Sequence, residues 1–422
     1  MQEPALLVAD KNNKIYDMPG FAACGMAGND LYVLKEEDLV PLPECARLFF
    51  LPDRQPIGFD IRQNRFLEME GFYPCAAFVA PGYTQLFTAA YREKPKAGIL
   101  PLFSYAPLAW YKGRLHVPAL RIDSRRVHDA RFMDMAKVEK KIQSFKATQN
   151  RLIIHLRNCA LNYCCPNAIN FFLARYECPL PVSPFCNARC IGCISYQPEG
   201  SCASSQHRIS FVPEPEEVAE VALTHLRQVR GGIVSFGQGC EGEPLLAADT
   251  ILKAIKIIRK QTQKGTIHMN TNASLALAMK ELCLAGLDSI RVSFNSLRKE
   301  YYTRYYQPSG YKFDDVIESI LCARKYKKFV SINYLVMPGF TDDAQEYEHL
   351  VRFIRGTKVD MIQWRNLNFD PQLYFRELGI KPQEKRQLLG VKAVICGLKK
   401  MFPKLRHGYF NVAITKKSPA NK

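Results

Sequence analysis

Eight of the chain's 15 cysteines fall within 44 residues: Cys159, Cys164, Cys165, Cys178, Cys186, Cys190, Cys193 and Cys202. Cys186-Asn-Ala-Arg-Cys190-Ile-Gly-Cys193 has the spacing C-x3-C-x2-C, which puts three thiolates on one short loop. Such a loop can wrap one face of a metal centre and leave a coordination position open, and an open position serves substrate or cofactor chemistry. A structural zinc site is instead closed by a fourth ligand, which Cys202 or His207 can supply. Cys159, Cys164, Cys165 and Cys178, with His155, are candidate ligands of a second cluster or of zinc just before that loop. Their spacing matches no known signature, and the adjacent Cys164 and Cys165 cannot easily bind one ion together. Cys24, Cys45, Cys75, Cys240, Cys283, Cys322 and Cys396 are scattered singly and read mostly as small buried hydrophobes, with Cys283 and Cys322 on apolar helix faces.

The thiols are expected to be reduced. The start, MQEPALLVADKNNK, has no basic stretch followed by an apolar run, and no run of about 18 apolar residues occurs anywhere. The sequence therefore predicts a cytoplasmic chain without a membrane span, where disulfides are rare. An odd cysteine count also disfavours a complete disulfide set.

The elements that must hold the loop read as alternating strands and helices. Leu180–Ser183 is a short apolar segment entering the cysteine loop. Helices are expected from about Pro213 to Val229, at Pro244–Thr262, Leu275–Ala285, Asp314–Tyr326 and Ala344–Arg355. Strands are expected at Gly232–Gly237, Thr266–Thr271, Ser289–Phe294, Phe329–Met337 and Met361–Leu367. Six strands at this spacing argue for a parallel sheet covered by helices. Strands of such a sheet usually read as unbroken apolar runs, yet here one face is polar. Arg291, Ser293 and Asn295 alternate with Ile290, Val292 and Phe294. His268, Asn270 and Asn272 share a face, as do Ser331 and Asn333, and Gln363 and Arg365. A polar inner face implies a partial barrel around a lined cavity, with its site at the C-terminal strand ends.

The flanks differ. Residues 1–178 read as a mostly β, α+β domain without a chemical motif, with Arg114–Val117 strand-like, Tyr16–Phe21 turn-like, and helices at Ala136–Phe145 and Asn167–Tyr176. Residues 179–370 form the expected barrel unit. Residues 371–422 form a basic extension, with one helix over 381–402 and a strand near Tyr409–Ile414. From Pro371 onward there are 12 Lys and Arg against 2 Asp and Glu, a net +10 of the chain's +18. Such a patch can engage the phosphates of a nucleic acid.

After the second expected strand comes Gly237-Gln-Gly-Cys-Glu-Gly242-Glu243-Pro244. Glycines let backbone approach a ligand, and a Glu at a strand end can hold an ammonium group. With the C-x3-C-x2-C loop one strand earlier, the sequence resembles the radical SAM superfamily over roughly residues 180–370. The resemblance implies a partial (β/α)6, TIM-like barrel, a [4Fe-4S] cluster on Cys186, Cys190 and Cys193, and S-adenosylmethionine (SAM) chelated at the fourth iron. Gly242-Glu243-Pro244 matches the segment that meets the methionyl amine. Thr271-Asn272-Ala273, beside Asn270, looks like the family's third-strand motif. Ser293-Phe294-Asn295-Ser296 is similar to its fourth-strand motif, implying that Ser293 and Asn295 face ribose or methionine. Val336-Met337-Pro338-Gly339 looks like its fifth-strand end, placing Met337 at the adenine. Two positions depart from the pattern: Gly192, where an aromatic is common before the third cysteine, and Glu241, where a Gly is usual.

The implied activity is reductive cleavage of SAM to a 5′-deoxyadenosyl radical that abstracts hydrogen from a substrate, be it an RNA, a peptide or a small molecule. A one-electron donor such as flavodoxin or ferredoxin is the implied partner. Cys240, near the implied cofactor, is a weak candidate for a catalytic role. The competing reading is a zinc-stabilised, non-catalytic RNA-binding protein, which leaves Gly-Glu-Pro and the polar strand faces without a role.

Overall fold

A computed structural model describes residues 3–414. At its centre is a seven-stranded parallel sheet in strictly sequential order. Its strands are β1 (Glu177–Pro179), β2 (Ile233–Phe236), β3 (Thr266–Thr271), β4 (Ser289–Phe294), β5 (Phe329–Val336), β6 (Met361–Asn366) and β7 (Arg406–Gly408). Sequential order with crossover helices is the arrangement of an open βα barrel. β3 and β4 have the expected bounds. Register aligns the polar face across strands: Asn270 lies beside Arg291, Arg291 beside Ser331, Ser293 beside Asn333, and Asn333 beside Gln363.

The helices follow as α1 (Met135–Gln143), α2 (Arg151–Asn162), α3 (Pro166–Phe172), α4 (Pro215–Gln228), α5 (Ala248–Gln261), α6 (Ala276–Ala285), α7 (Lys299–Tyr306), α8 (Phe313–Lys325), α9 (Ala344–Thr357), α10 (Pro371–Glu377) and α11 (Val391–Met401). Val138 and Ile142 of α1 and Leu152, Ile153 and Leu156 of α2 join one continuous core with the barrel strands and α4–α9. α2, α7 and α10 lie where no helix was expected. Asn150 caps α2, accepting the N–H groups of Leu152 and Ile153, and Asp370 caps α10 in the same way through Gln372 and Leu373.

Several expectations are corrected. The first strand is Glu177–Pro179, not Leu180–Ser183: Pro181 has no N–H, and the N–H groups of Val182 and Ser183 donate to the Glu241 carboxylate instead. The single helix over 381–402 is only α11, because Pro382 and Gly390 (φ +83°) interrupt the segment before it. The strand expected at 409–414 is the shorter β7 upstream. Beyond it Tyr409 and Phe410 donate their N–H groups to Asp123, and the Phe410 and Asn411 carbonyls accept from Arg125. Tyr16–Phe21 belongs to a strand, Ile15–Ala22, whose register shifts opposite Ala5 and Leu6. Pro19 and Gly20 fall in that irregularity, where strands tolerate them.

Residues 3–121 form antiparallel β-structure, as expected. It docks on the barrel through Thr84 Oγ1 to the Trp364 carbonyl (2.8 Å), Gln85 N–H to Asn366 Oδ1 (2.9 Å) and the buried pair Arg54–Asp370 (2.9 Å). The basic residues Lys416, Lys417 and Lys422 lie outside the described residues. Among the described residues no helix is long and apolar enough to cross a membrane.

Candidate cofactor site

A cavity of about 760 Å³ opens at the C-terminal ends of β2–β6. Cys186, Cys190 and Cys193 line it on one side. Gly242, Glu243 and Pro244, Asn270 and Asn272, and Ser293 line it from the strand ends. Asn295 and Met337 do not. Asn295 turns into the protein, its Nδ2 donating to the Tyr301 carbonyl and the Tyr374 hydroxyl at 3.3 Å each, and Met337 is fully buried. Arg47 and Phe103, from the antiparallel part of the chain, and His128, from the segment that follows it, complete the wall.

The cysteine loop has little regular structure of its own and is held by α7. Arg189 and Ile191 donate their N–H groups to the Tyr306 and Tyr305 carbonyls at 2.9 and 3.0 Å. Ala188 bridges Pro308. Cys193 Sγ accepts from Arg208 Nη2 at 3.5 Å. Burial pushes the Cys186 thiol up to about 11 and the Cys190 thiol well above its ordinary value, with neighbouring negative groups adding to each. Buried thiols of this kind become ligands when a bound cation displaces their protons.

Glu243 stands across from the loop. Its carboxylate accepts the N–H groups of Leu245 (3.1 Å) and Asn272 (2.7 Å) and the Thr271 hydroxyl. Burial raises its pKa to about 7 against those bonds, so a cation beside it would favour the ionised form. Gly242 lies so close to the Phe185 carbonyl that a Cβ there would overlap it. The departure at Glu241 has a structural role. One carboxylate oxygen accepts from Gly237 (2.6 Å) and Gln238 (2.8 Å), the other from Val182 (2.8 Å) and Ser183 (3.2 Å). It ties the segment after β1 to the loop after β2. Burial nevertheless pushes Glu241 up to about 8.

Two arginines, Arg291 and Arg365, and one acid, Glu177, line the deep end of the cavity. Arg291 Nη1 donates to Gln363 Oε1 at 2.8 Å, and Arg365 Nη1 to the Tyr409 carbonyl at 3.0 Å. Burial, then the charge of Arg365, lowers the Arg291 pKa to about 9. His268, Ser331 and Gln363 sit below the lining and are buried: His268 Nδ1 is 2.7 Å from Ser289 Oγ, Ser331 Oγ donates to the Ile290 carbonyl, and Gln363 Nε2 donates to Asn411 Oδ1.

The donor set fits an iron–sulfur cluster better than a single zinc ion. Ligands of one tetrahedral zinc lie about 3.5–4 Å apart, given bonds near 2.0–2.3 Å. Among the described residues, the three or more metal-ligating side chains whose ligand atoms all fall within 4.8 Å are His155, Cys159 and Cys240, not the three loop cysteines. Neither Cys202 nor His207, the expected zinc closers, lines the cavity. The second-metal group also comes out differently: Cys164 is exposed, Cys178 is deep in the core, and Cys240 joins His155 and Cys159 in their place.

Residues 180–354 match the family model of the Radical SAM superfamily, and this segment of the chain is a radical SAM domain. Members of that family use a [4Fe-4S] cluster and SAM. The chain is 30% identical over 188 residues to a protein named probable GTP 3',8-cyclase from Methanocella arvoryzae, covering 44% of this chain and 54% of the relative. It is 32% identical over 181 residues to the protein of the same name from Thermococcus kodakarensis, covering 42% and 53%. The chain thus spans about half the length of the curated relatives it matches. Among solved structures, the FeFe-hydrogenase maturase HydG from Carboxydothermus hydrogenoformans aligns at 14% identity with a TM-score of 0.39, over 67% of this chain and 66% of that one.

Neither motif nor spacing pointed to the brace from α7, to Glu241 as a tie, or to Arg208 beside Cys193. The aromatic run Tyr301, Tyr302, Tyr305 and Tyr306 was the available signal for α7.

Proposed function

We propose that the chain is a radical SAM enzyme in which Cys186, Cys190 and Cys193 hold the cluster. Gly242, Glu243, Asn270, Asn272 and Ser293 hold SAM. The observation that carries this reading is the convergence of the three loop cysteines and Glu243 on one cavity at the strand ends. When bound, the cluster and SAM supply a 5′-deoxyadenosyl radical that abstracts hydrogen. The chain's own contribution is positional. Glu243 presents a buried carboxylate to the methionyl ammonium, and the asparagines offer amides to its carboxylate and ribose. The cavity walls exclude water from a reactive intermediate. Arg291 and Arg365 support a substrate that brings an anionic group to the deep end. Asn295 and Met337 act at one remove, by shaping the strand ends. We propose residues 179–370 as the catalytic unit, with residues 1–178 completing the cavity wall.

The test is anaerobic reconstitution followed by a search for dithionite-dependent 5′-deoxyadenosine. Release by the wild type and none by Cys186→Ala is expected; release by Cys186→Ala overturns the reading. An RNA substrate is supported by exposed Lys399, Lys400 and Lys404 on and just beyond α11. RNA binding that does not weaken as salt rises would remove that version.

A further inference from the structure

His155 and Cys159 are four residues apart on α2, so they lie on one face of the helix one turn apart. Cys159 Sγ is 3.4 Å from His155 Nε2. Cys240, on the loop after β2, meets them from the barrel side, and the three ligand atoms all lie within 4.8 Å of one another. Cys159 and Cys240 are almost fully buried, whereas His155 is half-buried and lines a surface cavity of about 580 Å³ with Arg151, Asn158 and Phe211. Two thiols and an imidazole form the ligand chemistry of a soft ion, and bonds of about 2.0–2.3 Å require only a small contraction of this group.

We infer that His155, Cys159 and Cys240 form a second metal site, selective for a thiophilic ion of the zinc(II) type. Binding one zinc(II) displaces the two thiol protons to solvent and leaves His155 neutral, bonded through one ring nitrogen. The cavity beside His155 is the entry path and supplies a water to the fourth position. Only His155 and Cys159 come from the cysteine-rich stretch; Cys164 and Cys178 take no part. The site pins α2 to the loop that carries Glu241 and Glu243. Cys240 is therefore a tether for that loop, and its sulfur is directed away from the large cavity. The inference stands apart from the radical SAM reading, since it concerns neither the loop cysteines nor SAM.

The test uses the full chain, reconstituted anaerobically with iron and sulfide, treated with zinc chloride and desalted. Metal content and zinc-edge X-ray absorption are then measured. The wild type and Cys178→Ala are expected to retain about one zinc per chain, with sulfur and nitrogen in its first shell. Cys159→Ser, Cys240→Ser and His155→Ala are expected to lose zinc at least about tenfold while keeping iron. His155 is half-exposed, so His155→Ala separates ligand loss from misfolding, and the absorption spectrum of the wild type needs no variant. The inference is overturned if the wild type retains no zinc, or if the three site variants retain it. It is also overturned if replacing Cys186, Cys190 and Cys193 removes the zinc, or if Cys159 and Cys240 are recovered as a disulfide from the anaerobic wild type.

Discussion

The Tyr305 hydroxyl oxygen lies 2.7 Å from the point where a Cβ on Gly192 would project. The position before the third cysteine, commonly aromatic in the family, is thus a glycine here because an aromatic from α7 already fills the space. Tyr305 is buried, its ring is packed edge-on against Tyr306 and Tyr374, and its carbonyl holds Ile191. It cannot step aside at little cost. Gly192→Ala should therefore destabilise the protein by about 1–3 kcal/mol, the usual cost of overpacking. Tyr305→Phe removes the obstructing atom, so the double variant should recover much of that loss. Thermal unfolding of all four forms measures the coupling. Additive effects would show that the hydroxyl does not set the choice of glycine.

Glu241 is expected to matter for structure more than for chemistry. Its carboxylate satisfies four backbone N–H groups from two loops. Glu241→Gly, which restores the residue usual in the family, leaves those buried donors without partners. Each unsatisfied donor costs about 1–3 kcal/mol, so a fall of several degrees or more in Tm and reduced iron per chain are expected. Glu241→Gln keeps one acceptor oxygen and should lie between. A Glu241→Gly protein with wild-type Tm and iron content would show that the tie carries no load.

The sequence was most readable where period and punctuation agreed. β3 and β4 were legible to the residue because polar and apolar side chains alternate between Gly265, Gly286 and Asp288. The cysteine loop and Gly242-Glu243-Pro244 were legible because their chemistry lies in local spacing. α7 was not: Lys299–Tyr306 is short, has no side-chain cap and buries four tyrosines, weak helix formers. The C-terminal segment misled because its basic, apolar pattern runs across Pro382 and Gly390. The meeting of Cys240 with His155 and Cys159 depends on how α2 docks against the loop after β2, and nothing in their spacing along the chain shows it. Asn295 and Met337 share motifs with cavity residues, yet the turn of the chain past each strand end directs them inward.

His225 gives stability a defined pH dependence. It is buried on α4, Nε2 facing the Tyr176 carbonyl at 3.4 Å. Burial lowers its pKa from 6.5 to about 4, the carbonyl contact only partly opposing that shift. Between those values the unfolded chain binds a proton that the folded protein refuses. Stability from the neutral imidazole is thus complete above about pH 6.5 and is lost as pH falls toward about 4. Carboxyls raised by burial, such as Glu243, act in the opposite direction, so the comparison must isolate the one residue. The stability difference between wild type and His225→Leu should shift against the wild type by up to about 3 kcal/mol as pH falls from about 6.5 to 4. Denaturant titrations across that range measure it. A pH-independent difference would mean that His225 is not held neutral.

Arg54 and Asp370 join the antiparallel half to the barrel through a pair that is 1% exposed on each side, at 2.9 Å. Arg54 also donates to Glu93 at 3.1 Å and to the Gly98 carbonyl at 3.0 Å. Asp370 caps α10 with its other oxygen and accepts the Leu100 N–H at 3.1 Å. Two buried charges held by this many bonds are costly to separate. Removing Arg54 leaves the buried Asp370 carboxylate uncompensated, a loss of about 3–5 kcal/mol, whereas removing Asp370 leaves Arg54 paired with Glu93. Asp370→Ala also uncaps α10, a further loss of about 1 kcal/mol. The double variant should cost clearly less than the sum of the single ones, since Arg54→Ala strands a buried carboxylate that the double variant removes. Equilibrium unfolding of the three variants measures the coupling, and additivity within about 0.5 kcal/mol would show that the pair does not hold the two halves together.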